Sequence, residues 1–269
     1  MANKKRSLLP FYKNFRKKFS GRGLKKYSFI QKIDHYTQSK LKSNFAIIDG
    51  QKMYLDAKDN LSLSVFGIYE PLETNLVKKE IKKGNSVIDI GAFIGYYTLI
   101  FAKLVGLQGK AFAFEPQENP FSLLKKNLEI NEYKNYVIEN KLVSNKNEKT
   151  EFQNKFIDAI KLDDYFLDFS KKIDFIKMDI EGAEMQALEG MTSLIENNNN
   201  IRIMTEFHPT ELKKFGTNPE DYLNKLRNFD FNIYHIDNKT KSIKPVSNDY
   251  LLTKFPSIDS STNIFCKRD

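Results

Sequence analysis

The sequence has no tryptophan and a single cysteine, Cys266. One thiol excludes an internal disulfide framework and suits a reducing compartment. No apolar run approaches the ~20 residues that span a bilayer. The N-terminus is basic but lacks the apolar stretch of a secretory signal, so the expected location is cytoplasmic. No internal repeat is visible, and only Asn197–Asn200 is low in complexity. Tightly spaced His or Cys ligands are also missing, which argues against a structural zinc site.

Excess charge is absent from most of the chain. The net charge is +9 over 269 residues, yet residues 1–27 carry ten Lys or Arg and no acid, leaving 33 bases against 34 acids from Ser28 onward. A nucleic-acid enzyme normally spreads positive charge around its substrate face, so the body gives no sign of DNA binding. Within the tail, Leu8, Phe11, Tyr12, Phe15 and Phe19 fall at helical spacing with bases between them. Two readings stand: a helix resting on an anionic membrane surface, or one packing its aromatics onto the body. The second is favoured, because amphipathic helices are commonplace in soluble proteins.

What is present is 41% hydrophobic residues, including 22 Phe and 13 Tyr, enough for a sizeable core. Residues 45–66 read as a hairpin around Asp49-Gly50. Leu72–Ile81 has a helical pattern ending at Gly84. Strands then alternate with helices: Ser86–Ile90, helix Tyr97–Leu104, Lys110–Phe114, a helix capped by Asn119-Pro120, and a strand region Tyr136–Val143. Asp174–Ile180, helix Glu184–Ile195, Ile201–Phe207, helix Pro219–Asn228, Phe231–Ile236 and Asn263–Lys267 complete the order. The alternation predicts an α/β fold with a largely parallel sheet covered on both faces. Such sheets bind ligands beyond the carboxyl ends of their strands, where Asp89, Glu115, Asp179 and Glu206 all fall. The expected organisation is an extension over residues 1–44 and a domain over 45–269, with the hairpin at 45–66 and a cofactor-binding core at 84–269.

Two motifs mark the site. In Asp89-Ile90-Gly91-Ala92-Phe93-Ile94-Gly95 the glycines allow a ligand to approach the backbone. An acid before the turn would repel a pyrophosphate but suits a cationic amino-acid group, so the polarity fits S-adenosyl-L-methionine better than a dinucleotide. Glu115, in Phe114-Glu115-Pro116, ends the next strand, where a carboxylate accepts hydrogen bonds from ribose hydroxyls. The candidate cofactor residues are Asp89, Gly91, Ala92, Gly95, Glu115 and Pro116.

From about Met53 onward the chain resembles the FkbM family of class I methyltransferases. The resemblance rests on Met53-Tyr54-Leu55-Asp56, Tyr69-Glu70-Pro71, Ile88-Asp89-Ile90-Gly91-Ala92, Gly95-Tyr96-Tyr97-Thr98-Leu99, Phe114-Glu115-Pro116 and Leu162-Asp163-Asp164. It continues through Ile176-Lys177-Met178-Asp179-Ile180-Glu181-Gly182-Ala183-Glu184, Leu188-Glu189-Gly190-Met191 and Thr205-Glu206-Phe207-His208-Pro209. It implies a Rossmann-like, seven-stranded sheet with the last strand antiparallel, and O-methylation of a sugar or hydroxylated small molecule. Phe93 departs from the family's usual Asn, and the stretch between Thr150 and Lys161 is shorter than in many relatives.

Methyl transfer to an alcohol benefits from a proton acceptor or a bound metal. Asp179, Glu206 and His208 are the candidate catalytic residues, with Glu181 and Glu184 beside them. Capping or core packing is an equally good reading of His208. A divalent ion, Mg or Mn, enters only by analogy with other sugar methyltransferases. Tyr69-Glu70-Pro71 reads either as a lid over the cofactor or as a plug on the core. Competing functions are an RNA methyltransferase using the basic tail, and a non-catalytic cofactor-binding scaffold. Against RNA, the body is near neutral and lacks the Asn/Asp-Pro-Pro-aromatic turn of base-nitrogen methylases.

A chain beginning at Ser28 is expected to bind S-adenosylmethionine like the full chain and to lose any affinity for anionic vesicles. Retained RNA binding with a steep salt dependence would contradict this assignment of the charge.

Overall fold

The computed structural model describes residues 43–256 and 260–268, so the basic tail lies outside the described residues. The chain divides into two compact units at Glu70/Pro71. In the first, β1 (Phe45–Ile48) and β2 (Gln51–Tyr54) form an antiparallel hairpin. Asp49 and Gly50 at its tip have φ of 52° and 81°, the left-handed pair that a tight two-residue turn requires. The expected hairpin thus ends earlier than residue 66, and Leu63–Phe66 is a helical turn. Asp59 is buried there, and its carboxylate accepts hydrogen bonds from the Leu63 and Ser64 amides and the Ser64 hydroxyl. Tyr69 and Glu70 close this unit.

The second unit opens with the helix Pro71–Glu80 and then alternates. Its strands are β3 (Ser86–Ile90), β4 (Lys110–Phe114), β5 (Tyr136–Glu139), β6 (Leu142–Val143), β7 (Glu148–Phe152), β8 (Lys155–Ile160), β9 (Phe175–Met178), β10 (Arg202–Phe207), β11 (Asn232–Asp237), β12 (Ser242–Pro245) and β13 (Thr262–Lys267). Eight form one sheet in the order β12-β11-β13-β10-β9-β3-β4-β5. From β5 to β10 the neighbours pair parallel, whereas β13 runs antiparallel to both β10 and β11. This is the Rossmann-like arrangement expected, with the reversed last strand inserted before the edge. The eighth strand, β12, adds antiparallel to β11.

Every residue of β3 is buried, as a central strand covered on both faces requires. The helix Tyr96–Val105 packs on β3 and β4, and Phe101 and Phe265 both contact Phe175 on β9. On the other face Thr205 and Tyr222 hydroxyls lie 2.9 Å apart in the core.

Two differences from the sequence reading have local causes. The strand expected over Tyr136–Val143 is two: β6 leaves the main sheet and joins a three-stranded sheet of order β6-β8-β7. β7 and β8 form a hairpin across Gln153-Asn154, with φ of 51° and 63°. The helix expected over Glu184–Ile195 breaks into Glu184–Glu189 and Thr192–Glu196. Gly190, at the break, approaches the main chain so closely that a Cβ there would lie 1.9 Å from the Ser144 carbonyl oxygen. Asp163 then caps the second piece, accepting from the Ser193 and Leu194 amides. The helix after β4 starts at Glu118, with Gln117 at its cap and Pro120 inside its first turn.

Gly190→Ala is expected to destabilise the protein by about 1–3 kcal/mol, the range for forced overpacking. The check is a lower urea midpoint at unchanged m-value.

Candidate active site

The strand order reverses between β3 and β9, with β4 and β5 on one side and β10 on the other. The crevice outside the carboxyl ends of these strands is where such sheets bind ligands. Two loops meet there, one after β3 and one after β9. Gly91, with φ of 79°, has no Cβ; one would stand 2.0 Å from the Asp179 carbonyl oxygen. Gly95, with φ of 90°, opens the following helix against Leu124. Between them Phe93 is held at φ 49°, a region that Asn tolerates better than an aromatic residue. The Gly91 and Ala92 amides both donate to the Phe114 carbonyl oxygen, at 2.9 and 3.1 Å.

Glu115 is buried at the end of β4. One carboxylate oxygen accepts from the Phe93 amide and the other from the Gln117 amide, each at 2.8 Å. It therefore holds the glycine turn in place, a second role that spacing did not reveal. Burial raises its pKa, and the two amide bonds act in the opposite direction. Pro116 follows, its carbonyl oxygen accepting from the Asn140 side chain together with that of Glu115.

Asp89 is almost fully buried. One carboxylate oxygen accepts from the Thr98 hydroxyl at 2.5 Å, and the other, Oδ1, has no hydrogen-bond partner. Burial raises its pKa, opposed chiefly by the charge of Lys177. Lys177 pairs with Asp89 across β3 and β9 and with Met204 across β9 and β10, so all three side chains share one face. Its ammonium is buried 3.1 Å from the Asp179 carboxylate, with the Tyr97 ring centroid 5.2 Å away. The sequence reading did not single out Lys177 as a site residue, although a charged residue inside the apolar Phe175-Ile176-Lys177-Met178 was a signal.

Asp179 and Glu206 lie two residues beyond Lys177 and Met204, and so on the same face at the strand ends. Glu206 is pushed up to about 8 by burial first and then by the negative charge of Asp179, against a hydrogen bond from Ser261. Glu184, also buried, reaches about 7 for the same leading reason, despite accepting from the Ile180 amide at 3.1 Å. Glu181 is exposed at φ 55°, its pKa raised by partial burial and by Asp179. His208 caps the helix Pro209–Lys214, its Nδ1 accepting from the Glu211 amide at 3.5 Å. Asp179 and Glu206 are thus brought together, and His208 is committed by one ring nitrogen to the helix. Among the described residues no three His, Cys, Asp or Glu side chains are grouped to hold a metal ion. One oxygen of the Asp179 carboxylate is instead paired with Lys177. No helix among the described residues is long and apolar enough to cross a membrane.

Residues 89–233, more than half of the chain, match the model of the methyltransferase FkbM domain. The chain belongs to that family. It is a methyltransferase that uses S-adenosylmethionine, and the unpartnered buried Oδ1 of Asp89 is of a kind that suits that cofactor's ammonium. No curated protein matches the sequence. Solved structures with a related fold include an rRNA methylase from Streptococcus thermophilus (14% identity, 73% of this chain and 94% of that one, TM-score 0.46). Another is a SAM-dependent O-methyltransferase from Thermotoga maritima (16% identity, 75% of this chain and 66% of that one, TM-score 0.41). A third is a precorrin-6y C5,15-methyltransferase from Geobacter metallireducens (14% identity, 84% of this chain and 94% of that one, TM-score 0.45). Likeness at this level carries nothing about the acceptor of the FkbM-domain protein.

Glu115→Gln is expected to weaken S-adenosylmethionine and S-adenosylhomocysteine alike, by about 1.5–3 kcal/mol, the scale of hydrogen bonds to a charged group. Isothermal calorimetry on the folded variant measures this; unchanged affinity would remove Glu115 from the pocket.

Proposed function

We propose that this methyltransferase methylates a hydroxyl of an uncharged sugar or hydroxylated small molecule, with Glu206 as proton acceptor. The observation that carries the reading is the charge of the acceptor edge. Asp179, Glu181, Glu184, Glu206 and Glu211 gather there, and among the described residues only Lys177 and Lys214 oppose them through direct ion pairs, with Asp179 and Glu211. An RNA backbone brings one negative charge per phosphate and needs bases along its track. This edge disfavours it, whereas a neutral alcohol meets no repulsion.

When bound, S-adenosylmethionine supplies an electrophilic methyl group on a sulfonium. The protein's part is to hold both partners and to take one proton. Asp89 Oδ1 is suited to the cofactor ammonium, and Glu115 to the ribose hydroxyls while it keeps the Gly91–Gly95 turn in place. Asp179, fixed by Lys177, orients the acceptor hydroxyl. Glu206 receives its proton as the new C–O bond forms. A proton acceptor works best with a pKa near the operating pH, and a carboxyl at about 8 meets that condition where an ordinary glutamate would not. His208 is less suited, since Nδ1 is engaged as a helix cap.

The sign of the pH dependence follows. Glu206 accepts a proton only when ionised, so kcat/KM is expected to rise with pH through a midpoint near 8. Glu206→Gln should lower kcat by roughly 10²-fold, the usual cost of losing a general base, and remove that limb. His208→Ala should keep it. Tritium transfer from labelled cofactor across pH 6–9 decides this; a limb that survives in Glu206→Gln and disappears in His208→Ala would make the histidine the base.

A further inference from the structure

Beyond Glu206, the same face of the sheet continues onto β13. Asn263 is the cross-strand partner of Glu206, so the two side chains leave the sheet on one side, ~5 Å apart. The Asn263 amide donates to Oε1 of Glu73 at 3.3 Å, and the amide of Asn238, just past β11, donates to the same oxygen at 2.6 Å. Glu73 comes from the first turn of the helix Pro71–Glu80 and has no exposed surface. Its second oxygen, Oε2, has no hydrogen-bond partner. A buried acceptor without a donor is costly, and native proteins rarely keep one without a use for it.

Asn263, which holds Glu73, lies nearer the acceptor edge than the Asp89 end of the site. Asp89, with its own unpartnered oxygen, lies on β3, three strands from Asn263 on β13, or ~14 Å at ~4.8 Å per strand. Glu206, by contrast, is one strand away. That spacing matches two hydroxyls carried on one sugar ring.

We propose that Glu73, Asn238 and Asn263 form an acceptor subsite, which binds a second, non-reacting hydroxyll of an uncharged sugar ring whose reacting hydroxyl lies at Glu206. This rests on the hydroxyl-methylation reading above and names its substrate class. The donor set suits the assignment: Glu73 Oε2 accepts a hydroxyl proton, and the exposed Asn238 keeps a carbonyl oxygen and a second N–H for the ligand. A hydroxyl uses both kinds of group because it donates and accepts; an ammonium only donates and has no use for the amide N–H.

The test is tritium transfer from labelled S-adenosylmethionine into the methyl glycosides of glucose, galactose, mannose and rhamnose, their monodeoxy analogues, and the methyl glycoside of glucosamine. The wild-type protein is expected to label at least one neutral glycoside. Removing one hydroxyl near the methylated position should then lower kcat/KM at least tenfold. Glu73→Gln should lower kcat/KM for the intact sugar by a similar factor and make the enzyme indifferent to that deletion. Asn238→Ala, checked to be folded, should raise KM several-fold. S-adenosylhomocysteine affinity should stay within twofold of wild type in both variants. Wild-type kinetics in both variants, with labelling intact, would overturn the subsite and leave hydroxyl methylation standing. Lost S-adenosylhomocysteine affinity in folded Glu73→Gln would move Glu73 into the cofactor pocket and overturn it too. Preference for the glucosamine glycoside would overturn the uncharged class, and no labelling of any glycoside would overturn the sugar subsite while leaving hydroxyl methylation standing for non-sugar alcohols.

Discussion

Contact between two main-chain loops at the centre of the sheet is the constraint on which the site depends. The turn after β3 lies so close to the segment after β9 that Gly91 leaves no room for a Cβ beside the Asp179 carbonyl oxygen. The Asp179 amide, in turn, donates to the Ile90 carbonyl oxygen at 3.1 Å. Any side chain at position 91 would push these loops apart. Asp89 would then separate from Lys177, and Asp179 from its place beside Glu206. Glu115 secures the other flank of the same turn through the Phe93 amide, so one carboxylate both shapes the pocket and is suited to the ligand in it.

Around this contact, among the described residues, more acid than base is buried. Lys177 opposes the ionisation penalties at Asp89 and Glu115 and, after His208, at Glu181. It sits against Asp179 rather than midway among the acids, which leaves Glu206 and Glu184 to be dominated by desolvation. The acidic groups are therefore spread in proton affinity even though they share one edge. A spread of this kind allows one carboxylate to stay ionised as a clamp while another exchanges a proton near neutral pH.

Much of the architecture was legible in the residues. The alternation of apolar runs with helical periodicity located β3, β4, β9, β10, β11 and β13 to within a few residues, and the helix Pro219–Asn228 at the same limits. Elements that escaped notice have weak local signals. The β7–β8 hairpin is rich in exposed charge and turns through Gln153-Asn154 instead of a glycine pair. The break at Gly190 is imposed by the Ser144 main chain, 46 residues earlier in sequence. No periodicity within the helix could announce it.

The sequence by itself determined the fold class, the glycine turn and the carboxylates at strand ends. These follow from local sterics and from the period of each element, which neighbouring residues carry. The strand order decided the rest. Lys177 faces Asp89 only because β9 lies beside β3, and Glu206 faces Asn263 only because β13 inserts antiparallel next to β10. Glu73 meets Asn238 and Asn263 across 165 and 190 residues of chain. A contact at that separation is set by how the sheet assembles and which face each side chain then shares, and neither quantity is encoded within any one element.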